Sequence, residues 1–266
     1  MGNRIQNKCK SELKSGNRLF CPFVTLGYPN LKTTERLITQ FDRMGVDIVE
    51  LGIPFSDPIA DGPTIQHSSE AALKQHVIPE DAFRLMAKLR SQGVKVPVIF
   101  FSYLNPIFQM GYTSFTDKAS KAGFDGVIVP DLPIEEERDF QKACKAKGLS
   151  LIFLITPTTS AARAKKIGAQ SEGFVYMVSL RGVTGARKTQ GADLEKKFKE
   201  FRRVIAKPIL IGFGVSTPEQ ARKLSRFSDG VIVGSAIVDQ IRQGKGNPSK
   251  ALRFAQSMLK SVKSVH

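Results

Sequence analysis

Glu50, Asp57 and Asp61 fall within twelve residues of one another, in the stretch Glu50-Leu-Gly-Ile-Pro-Phe-Ser-Asp-Pro-Ile-Ala-Asp-Gly-Pro63. One carboxylate ends an apolar run and two follow in a loop, a layout suited to acid/base chemistry. Val46, Ile48, Val49 and Leu51 read as a strand that Gly52 and Pro54 stop, so Glu50 belongs at its C-terminal end. Apolar surroundings there raise a carboxyl pKa, which suits a group that both gives and takes a proton near neutrality. Pro54, Pro58, Gly62 and Pro63 restrain the loop and can hold Asp61 over the same substrate. Structural roles compete: a capping or lysine-paired carboxylate for Glu50, and an N-cap of a helix starting near Thr64 for Asp61. Asp57, in Ser-Asp-Pro, suits the loop or a partner better than chemistry.

A second constellation lies late in the chain, in Gly212-Phe-Gly-Val-Ser-Thr217 and Val233-Gly-Ser-Ala236. Glycines let backbone N–H groups approach an anion, and a short helix beginning near Ser235 would aim its positive end at it. Tight turns are the plainer reading. A third segment, 179–193, has the composition of a lid, with Gly182 and Gly185 as hinges and Thr184 and the Gly185 N–H within reach of a site; an ordinary surface loop competes. Tyr176, at the end of a strand, can offer its hydroxyl or simply pack. Lys95 and Lys207 precede their strands, which disfavours imine chemistry by a lysine at the C-terminal strand ends.

The elements that must position these groups alternate. Apolar, β-rich runs recur at 19–25, 46–51, 96–102, 126–129, 151–154, 174–178, 209–212 and 230–233. Helical patterns follow at 33–44, 79–92, 113–122, 134–146, 161–170, 194–205, 218–227 and 248–262. Strands that are apolar throughout signal a parallel sheet covered by helices, and eight such units predict a (β/α)8 TIM barrel. Extra helices are expected at the N-terminus, 5–14, and after the second strand, 64–75. The long Gly/Pro-rich connections follow strands rather than helices, which places a site at the C-terminal barrel face.

The length of 266 residues suits one such domain, residues 1–266, and 41% hydrophobic with 24% charged residues fits an ordinary globular chain. The first residues lack the apolar run of a signal peptide and no window is long and apolar enough to span a membrane, so no membrane association is expected. Cys9, Cys21 and Cys144 are odd in number and scattered, which suggests neither a disulfide framework nor a zinc site and favours a cytoplasmic location. His67, His76 and His266 have no ligand spacing, and no metal is expected. The formal net charge of +16 raises nucleic-acid binding as a different class of function. Its cations are spread over separate helical segments and no aromatic platform accompanies them, so no nucleic-acid partner is expected.

With these residues in place, the chain resembles the tryptophan synthase alpha subunit family along nearly its whole length. The resemblance rests on Pro-Phe-Val-Thr-Leu-Gly-Tyr-Pro (22–29), the acidic stretch 50–63, Tyr-Leu-Asn-Pro (103–106), Val-Pro-Asp-Leu-Pro (129–133), Gly-Val-Thr-Gly (182–185), Gly-Phe-Gly (212–214) and Gly-Ser-Ala-Ile-Val (234–238). It implies cofactor-independent retro-aldol cleavage of indole-3-glycerol phosphate into indole and glyceraldehyde 3-phosphate. Glu50 and Asp61 are then the catalytic pair. Phe23, Phe101, Ile128 and Phe213 are implied as indole-pocket walls, Tyr176 as a site tyrosine, Thr184 as a lid residue, and Gly185, Gly214, Gly234 and Ser235 as the phosphate cradle. Asp57, Pro58 and Asn105 would face a beta subunit in an α2β2 complex, with pyridoxal phosphate expected only in that partner. Leu180 stands where many members carry arginine. A stand-alone lyase of the same substrate and another phosphate-binding barrel, such as a sugar-phosphate isomerase, are the nearest alternatives.

Overall fold

The computed structural model describes residues 3–178, 189–212 and 214–265. Nine strand segments form one parallel sheet in the order β5-β4-β3-β2-β1-β9-β8-β7-β6. They are β1 (Leu19–Thr25), β2 (Val49–Gly52), β3 (Val98–Phe101), β4 (Gly126–Ile128), β5 (Ser150–Ile152), β6 (Leu154–Ile155), β7 (Val175–Val178), β8 (Ile209–Gly212) and β9 (Gly230–Val233). The two ends of that order, β5 and β6, are consecutive in the chain and interrupted only at Phe153. The fifth barrel strand thus pairs with β4 through its first half and with β7 through its second, and the expected eight-stranded barrel closes around this bend.

Twelve helices accompany the strands among the described residues: α1 (Arg4–Lys14), α2 (Leu31–Arg43), α3 (Pro63–Leu73), α4 (Pro79–Ser91), α5 (Leu104–Met110), α6 (Tyr112–Ala122), α7 (Arg138–Ala146), α8 (Ala161–Gln170), α9 (Thr189–Arg202), α10 (Pro218–Ser225), α11 (Ser235–Gln243) and α12 (Ser249–Lys263). The two extra helices expected from the sequence are α1 and α3. Helix α5 is unforeseen; Pro106 lies in its first turn, where its missing N–H breaks no intrahelical bond. Helix α9 begins at Thr189, so 189–193 joins a helix rather than the expected loop.

The second strand starts at Val49 instead of 46, because Asp47 is used as an acceptor below the sheet. Its Oδ2 accepts the Phe20 N–H at 2.8 Å. The device recurs at every second barrel strand: Asp125 accepts from Val98 N–H at 2.9 Å, Ser171 from Phe153 N–H at 3.0 Å and Asp229 from Ile209 N–H at 2.8 Å. Each side chain satisfies a backbone donor of the preceding barrel strand that would otherwise be an orphan. Three carry a cation as well. Arg90 and Arg4 bind Asp125, Arg202 binds Asp229 and Lys263 binds Asp47. These ties fix the bottom of the barrel and leave its C-terminal face to the long loops.

Candidate active site

Strand β2 lifts Glu50 to the C-terminal end of the barrel, in register with Phe23 on β1 and Ile99 on β3. The side chain is 1% exposed, and among the described residues nothing hydrogen-bonds its Oε1. Burial alone drives its pKa up to about 8. A capping or lysine-paired carboxylate would have the opposite shift, since a cation or donor favours the ionised form. Glu50 is therefore a neutral acid at pH 7 that ionises with modest help from a bound molecule.

Asp61 reaches the same space from the β2–α3 loop. It does not cap α3; Gly62 holds the N-cap position, with no side-chain bond. Its Oδ2 instead accepts the Tyr103 hydroxyl at 2.9 Å, and that hydroxyl oxygen accepts the Ala60 N–H at 3.0 Å. Burial raises the Asp61 pKa and the Tyr103 bond lowers it, leaving it at about 6. Two carboxyl groups thus share one cavity in different protonation states near neutral pH, one acid and one carboxylate.

The cavity holds about 360 Å³ and is lined by Phe23, Glu50, Asp61, Phe101, Tyr176, Gly214, Gly234 and Ser235 of the residues expected from sequence. Phe23 and Phe101 meet edge to face, with ring centroids 5.7 Å apart at 88°, and form an apolar slot beside Glu50. Gly52 makes room for it, because a methyl group there would overlap the Phe23 ring. On the far side, Tyr176 is buried on β7 and passes over Gly212, where a methyl group would overlap its hydroxyl. Burial pushes the Tyr176 pKa up, and Glu50 adds to this once it ionises, so Tyr176 stays a neutral phenol.

Beyond the slot, Gly214 has φ of 80°, a conformation that side chains rarely adopt, and Gly234 is the N-cap residue of α11. Ser235 opens that helix. This arrangement offers backbone donors and a helix's positive end to an anion.

Not every expected residue lines the cavity. Ile128 is fully buried and is not among the residues that line it; Phe101, its register partner on β3, is. Thr184, Gly185, Leu180 and Phe213 lie outside the described residues, as do residues 179–188 of the lid expected over 179–193. Asp57 and Asn105 are exposed and Pro58 is partly so, none of them in the cavity. Ile65, Ile232 and Tyr103 are contributions that sequence reasoning missed. Ile232 had no distinguishing signal, since β9 is apolar and buried along its whole length.

A parallel barrel with a buried acid and an ionisable partner at its C-terminal mouth defines a (β/α)8-barrel enzyme site. The family model described as tryptophan synthase alpha chain matches residues 9–265. The chain belongs to that family. It is 44% identical over 240 residues to the tryptophan synthase alpha chain of Dehalococcoides mccartyi, covering 90% of this chain and 93% of that one. The Thermoanaerobacter sp. protein of the same name is 43% identical over 263 residues, covering 99% of both. The crystal structure of the alpha subunit from Legionella pneumophila superimposes with a TM-score of 0.92 at 34% identity, covering 100% of each chain.

Proposed function

We propose that this chain, as a single barrel domain, cleaves indole-3-glycerol phosphate into indole and glyceraldehyde 3-phosphate, with Glu50 moving the protons and Asp61 holding the indole nitrogen. The observation that carries this reading is the pairing of a buried acid with a second carboxyl of lower pKa in one cavity with an aromatic slot. Family membership supplies the substrate, and the residues supply a route.

With the indole ring packed against Phe23 and Phe101 and the phosphate at Gly214, Gly234 and Ser235, the carboxyl of Glu50 donates its proton to indole C3. Positive charge then develops on the ring nitrogen, whose N–H donates to the Asp61 carboxylate. That charge–charge bond is strongest in the transition state, which is where it lowers the barrier. The Glu50 carboxylate next takes the proton of the glycerol hydroxyl on the carbon attached to C3. The carbon–carbon bond breaks, its electron pair returns to the ring, and an aldehyde is left. Glu50 ends protonated and the ring ends as indole, so protons and electrons balance without a redox step.

The product is apolar and suits transfer to a partner. Ile59 is 82% exposed beside Asp57 and Pro58, and Phe108 is 63% exposed on α5 beside Asn105. Apolar side chains this open on two adjacent segments of the mouth support docking of a beta subunit at this face, in an α2β2 assembly that keeps pyridoxal phosphate in the partner. A cytoplasmic location follows the same reading. The test is indole release by Glu50→Gln, which keeps the shape of the acid but carries no transferable proton. Loss of at least about a thousandfold in kcat supports the assignment, and an unaffected variant removes Glu50 from the chemistry.

A further inference from the structure

The segment 55–61 carries both an expected catalytic residue and the exposed Ile59, yet it has few ties to the barrel. Among the described residues its hydrogen bonds to the rest of the chain run to Gln66, which donates to the Asp61 backbone oxygen at 2.9 Å, and to Tyr103. Tyr103 uses its hydroxyl twice on this one segment, donating to the Asp61 carboxylate and accepting the Ala60 N–H. Its ring stacks on Phe55, with centroids 5.2 Å apart and planes at 28°. At 2% exposure it has no freedom to swing away. It is also the N-cap residue of α5, and the next N–H, that of Leu104, is fixed by Asp131 Oδ1 at 2.9 Å.

We propose that Tyr103 is a positioning residue for the reaction, clamping Asp61 by one carboxylate oxygen so that the other is presented to the indole N–H, and joining Asp61 rigidly to the α5 surface. The inference rests on the proposed lyase function for its substrate but on this geometry alone for the clamp. A carboxylate has two oxygens and several acceptor sites; tying one leaves the other in a fixed direction and removes the rotation that substrate binding would otherwise have to freeze. The same bond favours the ionised form, which is the form able to stabilise a cationic ring. The Ala60 N–H seals the arrangement, since the hydroxyl's proton is directed to Asp61 once its oxygen has accepted that donor.

Tyr103→Phe is the test, because it keeps the ring on Phe55 and removes only the hydroxyl. In the ligand-free protein, the Asp61 carboxyl followed by 13C chemical shift is expected to titrate at higher pH than in the parent chain. With indole-3-glycerol phosphate, the acidic limb of kcat/KM is expected to move up by the same amount, with a loss of about tenfold or more at neutral pH carried by kcat. In an Asp61→Asn background the same substitution should change kcat/KM by less than about twofold, because its effect acts through that carboxylate. An unchanged Asp61 titration overturns the proposal, and so does a loss of activity that is equal in both backgrounds. If the parent chain released no indole, the functional reading would fail, while the titration of Asp61 would still decide the clamp.

Discussion

At the scale of single residues, the protonation states of Glu50 and Asp61 decide when the site works. Glu50 must start as the acid and ionises as pH rises through about 8; Asp61 must start ionised and protonates as pH falls through about 6. The kcat/KM profile is therefore expected to be bell-shaped, with a plateau between those values; a profile that rises steadily through pH 9 would contradict the assignment of Glu50 as acid. Glu50 also costs stability. Its folded pKa lies above the ordinary carboxylate value of 4.5, so its contribution is most favourable below that value and is lost as pH rises toward 8. Glu50→Gln should raise stability at pH 8 by on the order of 2–5 kcal/mol, and by less at pH 5. Denaturant melts at the two pH values check this, and equal changes at both would refute it.

Which of these residues could be read in the sequence follows from how local their role is. Glu50 was legible because an acid at the end of an apolar strand is anomalous in itself. Asp61 was legible by distance along a restrained loop, although its alternative as a cap had to be dismissed by Gly62. Tyr103 was not, because its importance comes from a bond to a segment 42 positions away. Ile128 was expected in the cavity wall beside Phe101; it is fully buried one strand away, and only Phe101 of the two lines the cavity.

At the scale of elements, work is divided between the two ends of the strands. The C-terminal ends carry chemistry, whereas the N-terminal ends carry the repeated acceptors Asp47, Asp125, Ser171 and Asp229. Asp125 is 3% exposed and holds Arg90, itself 13% exposed in its side chain, together with Arg4 and the Val98 N–H. Arg90 spends its other donors on the carbonyls of Gly123, Val94 and Val96. Removing the carboxylate strands a largely buried guanidinium, so Asp125→Ala should cost about 3–5 kcal/mol in stability. Activity per folded molecule should be nearly unchanged, since the substitution sits at the opposite end of the barrel from the cavity. A urea titration and an active-site-normalised rate separate the two effects; a lost rate with full stability would refute the division. The strand positions were legible from apolar runs, but the break at Phe153 was not. It comes from closing the ring, which makes one strand pair with different neighbours along its length, and no local propensity encodes that.

At the scale of the whole molecule, the exposed apolar side chains Ile59 and Phe108 sit on two segments of the mouth, while the charge is uneven along the chain. Residues 151–266 carry 21 basic and 7 acidic residues, against 19 and 17 in residues 1–150. The excess of positive charge thus lies in the part of the chain that supplies Gly214, Gly234 and Ser235, although Arg202 and Lys263 of that part are tied at the bottom of the barrel and no basic side chain lines the cavity among the described residues. The fold class was fully legible, because eight repeats of strand and helix leave few alternatives. The partner surface was only partly legible: Asp57, Pro58 and Asn105 came from resemblance, while the exposure of Ile59 and Phe108 needed the fold. The account is tested most directly by measuring indole released from indole-3-glycerol phosphate by the purified chain, with and without a family beta subunit. It predicts measurable release by the chain alone and a faster rate with the partner added; no indole at saturating substrate with the partner present would contradict it.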